Sequence, residues 1–199
     1  MAHRAEVEIA TAGDAVAALG RAWPGIVEDC RRVATLELHY HAIAFSRLRS
    51  DGRVPLAQLA TNVHLYFNPA TTPLVQRARG EIKPDLAICR PGGGGCFGKA
   101  ATKWLRRSML LAIEAKAVVH GSGKAAIRRD ICKLVALRKE VEALGGSVTP
   151  VFWLINTPRT PRPWSRDRMA RLHRLASDKK VGFVAVSHDD AATLFDPAP

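Results

Sequence analysis

The sequence predicts a single α/β domain. Three observations carry this: short apolar runs of strand length recur, amphipathic stretches of helical period separate them, and 199 residues supply one core with little left for a second. Apolar residues make up 47% and charged residues 24%, the proportions of a globular chain able to fill that core. Neither an internal repeat nor a linker long enough to divide the chain is present, so residues 1–199 read as one unit.

In chain order, residues 1–22 are alanine-rich and read as a loose helix or a partly ordered lead. Trp23-Pro24 then looks like a helix start, because proline is tolerated in a first turn. That helix is expected to run through Glu28, Val33, Leu36, Glu37, Tyr40, Ile43, Ala44 and Leu48, ending near Ser50-Asp51-Gly52. Asn62 to Phe67 reads as a first strand, stopped by Asn68-Pro69. A second strand falls within Ile82 to Cys89 and a third within Met109 to Val119. Between them lie a glycine-rich connection, Pro91 to Gly95, and a basic segment, Lys99 to Arg107. A helix from about Lys124 to Leu144 is terminated by Gly145-Gly146. The uninterrupted apolar run from Val148 to Ile155 fits a central strand covered on both faces. A basic helix from about Ser165 to Ser177, a last strand from Val181 to Val186 and a frayed tail over 190–199 complete the chain.

Charge narrows the function. Thirty Lys and Arg against 18 Asp and Glu give +12 and a pI near 10.2, which favours a polyanionic partner. Its location is more telling than its total. From Asn156 to Lys180, eight basic residues face only Asp167 and Asp178, a net +6, whereas residues 1–40 are mildly acidic. A solvated helix face usually mixes signs, and a one-signed stretch suits phosphate contact. Cys30, Cys89, Cys96 and Cys132 have no CxxC spacing, no apolar run approaches the ~20 residues of a membrane span, and the N-terminus lacks the apolar core of a secretory signal. Free thiols, a cytoplasmic location and no membrane partner are therefore expected.

Two charged groups stand inside strand-like apolar runs, where a carboxylate adds nothing to packing and an unpaired buried charge costs several kcal/mol. They are Pro84-Asp85 and Glu114-Ala115-Lys116. Two positions apart on a strand, Glu114 and Lys116 project from one face. If the strands pair, Asp85 and Glu114 converge on a hard oxygen site suited to Mg²⁺ or Mn²⁺, with the Lys116 ammonium beside it to hold or deprotonate a water. The plainer readings are carboxylates at exposed strand ends and a lysine that serves only as a salt-bridge partner.

Pro-Asp on one strand and Glu-x-Lys on the next resemble the PD-(D/E)xK nuclease superfamily, which includes restriction endonucleases and many repair and recombination nucleases. The resemblance covers roughly Trp23 to Val186 by element order. It implies a restriction-endonuclease-like αβββαβ core, a mixed central sheet flanked by helices. It also implies Asp85, Glu114 and Lys116 as catalytic residues, with the Ala115 carbonyl completing a Mg²⁺ or Mn²⁺ site. The first helix of such nucleases often brings an acidic residue to the metal, for which Glu37 is the better-placed candidate here and Glu28 the second. His41, four residues on and on the same helix face, reads most simply as a packed histidine, a hydrogen-bond partner or a phosphate contact being the other readings. The helix after Glu-x-Lys commonly supplies a phosphate contact, for which Lys133 comes first and Arg129 next; Asp130 stands three residues before Lys133 and can share its face, and an ordinary surface salt bridge is the plainer reading.

The activity so implied is metal-dependent hydrolysis of phosphodiester bonds, most simply by a DNA endonuclease. Lys99, Lys103, Arg106 and Arg107, with Arg159, Arg162 and Arg166, are expected to hold the backbone. A homodimer is compatible, since cutting both strands needs two sites. The alternatives are an inactive nuclease-fold module that binds nucleic acid or a protein partner, and a phosphohydrolase acting on RNA or a small molecule. A P-loop reading of Gly93 to Lys99 fails because Ala100 stands where a magnesium-binding Ser or Thr is required. His39-x-His41 without a second pair is a weak zinc signal.

Overall fold

The computed structural model describes residues 5–33, 36–61, 65–66, 81–92, 107–118, 124–156, 164–187 and 192–197. Their architecture is α/β, with helices on both faces of a six-stranded mixed sheet.

The chain begins more firmly than its composition suggests. The Thr11 hydroxyl accepts from the Asp14 amide (3.1 Å) while the Asp14 carboxylate accepts from the Thr11 amide (2.9 Å), a reciprocal cap that opens α1, Ala12–Arg32. Ala15, Ala18, Leu19, Ala22, Trp23, Ile26 and Cys30 form its buried stripe. Residues 1–22 are thus not a loose lead, so far as they are described: Ile9 is fully buried, and Gln58 bonds both its amide (3.0 Å) and its carbonyl (2.7 Å). Nor does a helix start at Trp23-Pro24. Pro24 sits inside α1, where it forfeits the bond to the Gly20 carbonyl, and burial of Trp23 and Ile26 carries the helix through it. The break comes later, at the extended Val33 and Leu36, so that α2, Glu37–Ser50, is a separate helix. Arg47 holds it against α1 through a bidentate pair with Asp29 (2.7 and 3.0 Å).

The sheet order is β1 (Leu59–Thr61), β4 (Leu86–Cys89), β5 (Met109–Ala117), β6 (Thr149–Asn156), β7 (Gly182–Ser187), β8 (Leu194–Asp196). The pairs β1–β4, β4–β5 and β7–β8 are antiparallel, and β5–β6 and β6–β7 are parallel. The expected first strand at 62–67 is therefore displaced: β1 precedes it, and its Leu65–Tyr66 portion is β2, paired apart from the sheet with β3, Glu81–Ile82. The tail is displaced too, since β8 completes the sheet edge and Phe195 lies 5.4 Å from Trp23.

The helix α3, Lys124–Ala143, ends as the glycine pair predicts. Gly145 takes a left-handed φ of 75°, and the Gly146 amide reaches back to the Val141 carbonyl (2.9 Å). The last helix, α4, covers Arg166–Asp178. Strand residues alternate between two apolar layers. Ile113, Ala115, Trp153 and Val184 pack with α1 and α2, whereas Ala112, Phe152, Leu154 and Phe183 pack with Ile127, Ile131 and Leu134 of α3. By the same alternation Glu114 and Lys116 belong to the α3 face. No described helix is long and apolar enough to cross a membrane.

Candidate active site

The end of β5 is where the chemistry gathers. Strand β4 reaches only to Leu86, opposite Ile113, so β5 runs on beyond its antiparallel partner. Asp85 stands at that point, its amide bonded to the Ile113 carbonyl (3.0 Å). Past it, side chains take the place of a strand. The Asp85 carboxylate accepts from the Ala115 amide (2.8 Å), and the Glu37 carboxylate accepts from the Ala117 amide (2.9 Å). A residue's N–H and C=O leave a strand on the same edge, so the Ala115 carbonyl also lies on the edge that Asp85 occupies. On the opposite edge Val118 bonds to Ile155 of β6 (2.8 Å), which keeps this overhang straight.

Glu37, the first residue of α2, also ion-pairs with Lys116 (3.0 Å). The break between α1 and α2 is what sets it there. Glu28, the other acidic candidate, pairs instead with Arg32 on α1. From α3, Asp130 and Lys133 form a pair (3.2 Å), and their charges act on Glu114 and on one another's surroundings at the β5 end. Arg129 is exposed beside them on α3.

Glu114 is the least comfortable member. It is 8% exposed, and no hydrogen bond or ion pair reaches its carboxylate among the described residues. Burial first, and then the charges of Asp85 and Asp130, push its pKa up to about 9, against the pull of Lys133 and Lys116. Burial likewise holds Asp85 above the usual carboxylate range, opposed by its bond from Ala115. The Lys116 pKa is raised as well, which here favours the charged form. Burial works to lower its pKa, but its bond with Glu37 and the charges of Glu37, Asp130 and Glu114 together hold it above the usual lysine value. The ammonium is therefore protonated at neutral pH and can donate but not accept.

From the sequence His41 reads as a packed side chain, a hydrogen-bond partner or a phosphate contact. It is buried, but Nε2 lies 3.6 Å from the Asp85 carboxylate, and neither ring nitrogen has a hydrogen-bond partner. Its spacing from Glu37 gave the shared face; only the fold puts Asp85 opposite it. Asp130, noted in the sequence merely as a neighbour of Lys133, faces Glu114 for a similar reason.

Other expected contacts lie elsewhere. Arg107 precedes β5 at its far end, donating to the Leu144 carbonyl (2.9 Å) beyond α3. Glu114 stands five positions beyond Met109, roughly 16 Å along the strand. Arg166 opens α4. Lys99, Lys103, Arg106, Arg159 and Arg162 lie outside the described residues, as do Gly93 to Gly95 of the glycine-rich connection. Cys30 and Cys89 are buried thiols pushed up to about 12, too high to serve as nucleophiles.

Among the described residues, no group of three or more His, Cys, Asp or Glu side chains is placed to hold a metal ion. What the β5 end offers is smaller: the Asp85 and Glu114 carboxylates with the Ala115 carbonyl. That donor set fits Mg²⁺, which keeps several waters and typically uses one or two carboxylates. The Glu114 carboxylate, kept neutral by burial and by the like charges of Asp85 and Asp130, has room for its charged form only with a further positive charge beside it. No protein-family model, curated protein or solved structure matches the chain.

Proposed function

We propose that the protein is a divalent-metal-dependent phosphodiester hydrolase of the PD-(D/E)xK kind, acting on DNA in the cytoplasm. The carrying observation is the overhang of β5, where Asp85, Glu114, Lys116 and Glu37 meet although they lie as much as 79 residues apart in sequence. With the separate β2–β3 pair inserted between β1 and β4, the order α2, β1, β4, β5, α3, β6 along the main sheet supports the same reading. It is helix, three antiparallel strands, helix and a parallel strand, as an αβββαβ core requires.

Asp85, Glu114 and the Ala115 carbonyl would hold Mg²⁺ or Mn²⁺, which when bound supplies Lewis-acid neutralisation of charge on the phosphate. Lys116, protonated and aligned by Glu37, donates to the attacking water or to a phosphate oxygen as negative charge grows there. It does not act as the base. Lys133 offers a second positive charge on the same side, partly offset by Asp130.

A second reading, an inactive module that binds nucleic acid, is favoured by one feature: Lys116 is engaged by Glu37 rather than free. Cleavage of plasmid and single-stranded DNA and of RNA, in Mg²⁺ and in Mn²⁺, separates the two. Asp85→Asn is the informative control, because an amide oxygen still accepts from Ala115 while the charge is lost. Wild-type cutting of DNA with loss of cutting but retained binding in the variant supports the enzyme. Binding without cutting in either metal supports the module, and preference for RNA would move the substrate class.

A further inference from the structure

A second group of positive charges lies at the same end of the sheet, between α3 and α4. Asn156, the last residue of β6 and 1% exposed, clamps the backbone of Trp164 from both sides: its Oδ1 accepts from the Trp164 amide (3.0 Å) and its Nδ2 donates to the Trp164 carbonyl (3.1 Å). The fixed indole carries the Arg168 guanidinium on its face, 3.5 Å from the ring centroid. Arg168, Arg171 and Arg128 then line a cavity of about 130 Å³ floored by Ile127 and Leu172. Among the described residues, no carboxylate lines it.

Stacking on Trp164 employs the flat face of the Arg168 guanidinium and leaves its in-plane N–H groups for an acceptor. The Nε–H has no hydrogen-bond partner and is sealed from solvent, so it reports on the stack, while the cavity is met by the rest of the guanidinium. Burial, and after it the Arg171 charge, hold the Arg168 pKa below the usual arginine value, as expected of a cation with no anion beside it. The space admits several waters, and hence a tetrahedral oxyanion. Arginine edges suit phosphate because they present paired N–H groups in one plane.

We propose that this cavity is a phosphate subsite, in which Arg168, Arg171 and Arg128 bind a phosphate group of the substrate strand away from the bond that is cut. The subsite itself stands on its own lining. It rests on the nuclease reading only for the source of the phosphate, a nucleic-acid backbone rather than a free ion.

The test uses the full chain, in EDTA, so that a failure of the metal site leaves it untouched. Arginine Nε–H and tryptophan indole resonances are followed by ¹H–¹⁵N NMR during titration with inorganic phosphate, the ionic strength being held constant with chloride. The Arg168 Nε–H is expected to shift with a saturable curve. Arg128→Gln and Arg171→Gln should each weaken that binding by roughly tenfold, the size of one charge-assisted hydrogen bond. Arg128 and Arg171 are both exposed, so both variants are expected to keep the fold. A drift that never saturates, or that chloride reproduces, overturns the subsite. A short single-stranded DNA provides the second arm: movement of the same resonances assigns the phosphate to a nucleic-acid backbone, and silence with DNA but binding of inorganic phosphate overturns that assignment.

Discussion

Glu114→Gln is expected to raise the melting temperature of the metal-free protein by roughly 5–10 °C at neutral pH while abolishing metal-dependent cleavage. The Glu114 pKa is raised from 4.5 to about 9 by burial and by the charges of Asp85 and Asp130. Below pH 4.5 the carboxyl is protonated whether the chain is folded or not, and it costs the fold nothing. Between pH 4.5 and about 9 the unfolded chain releases the proton and the folded one keeps it. The unfolded state then binds fewer protons, so stability falls as pH rises through that window. At pH 7 the accumulated cost is on the order of 3 kcal/mol, and glutamine, which cannot ionise, avoids it. Thermal scans in EDTA from pH 5 to 9 should therefore show a declining wild-type curve and a flatter variant. Added Mg²⁺ should close the gap by stabilising the wild type alone. Loss of stability in the variant would instead mean that Glu114 is structurally paired.

Lys116→Met should lower kcat by roughly 10²–10³-fold, the effect of removing one donor to a developing oxyanion. Methionine retains the partly buried stem, and Glu37 retains its bond to the Ala117 amide, so the β5 overhang should keep its shape. Removing a positive charge beside Asp85 and Glu114 should leave Mg²⁺ affinity undiminished. Single-turnover cleavage together with a Mg²⁺-dependent thermal shift tests both halves. Because Lys116 is held protonated, the wild-type rate should show no loss from its ionisation between pH 6 and 9. Activity within a few-fold of wild type in the methionine variant would remove Lys116 from the reaction.

Much of this site was legible because its signals are local. A carboxylate two positions from a lysine within an apolar run specifies one face of a strand whatever the strand pairs with, and Pro84-Asp85 marks a second such intrusion. The strand at 149–156 and the glycine stop after α3 were readable for the same reason, since burial on both faces and a left-handed φ are written in consecutive residues. What depended on distant partners was not. Pro24 carries the local mark of a helix start, yet the contacts of Trp23 and Ile26 override it, and the true break at Val33 has no glycine or proline to announce it. β8 is too short to stand out until β7 offers an edge. His41 and Asp130 look like ordinary members of amphipathic helices. Their meaning lies in what faces them, which is set by how α2 and α3 pack on opposite sides of β5.

The claim beneath all of this is that the oxygens of residues 85 and 114 share one cation. Crystals soaked in Mn²⁺ and measured at a wavelength where manganese scatters anomalously would address it directly. An anomalous peak within coordinating distance of both carboxylates and of the Ala115 carbonyl is the expected result. A protein that binds Mn²⁺ elsewhere, or leaves that position empty at saturating Mn²⁺, would contradict it.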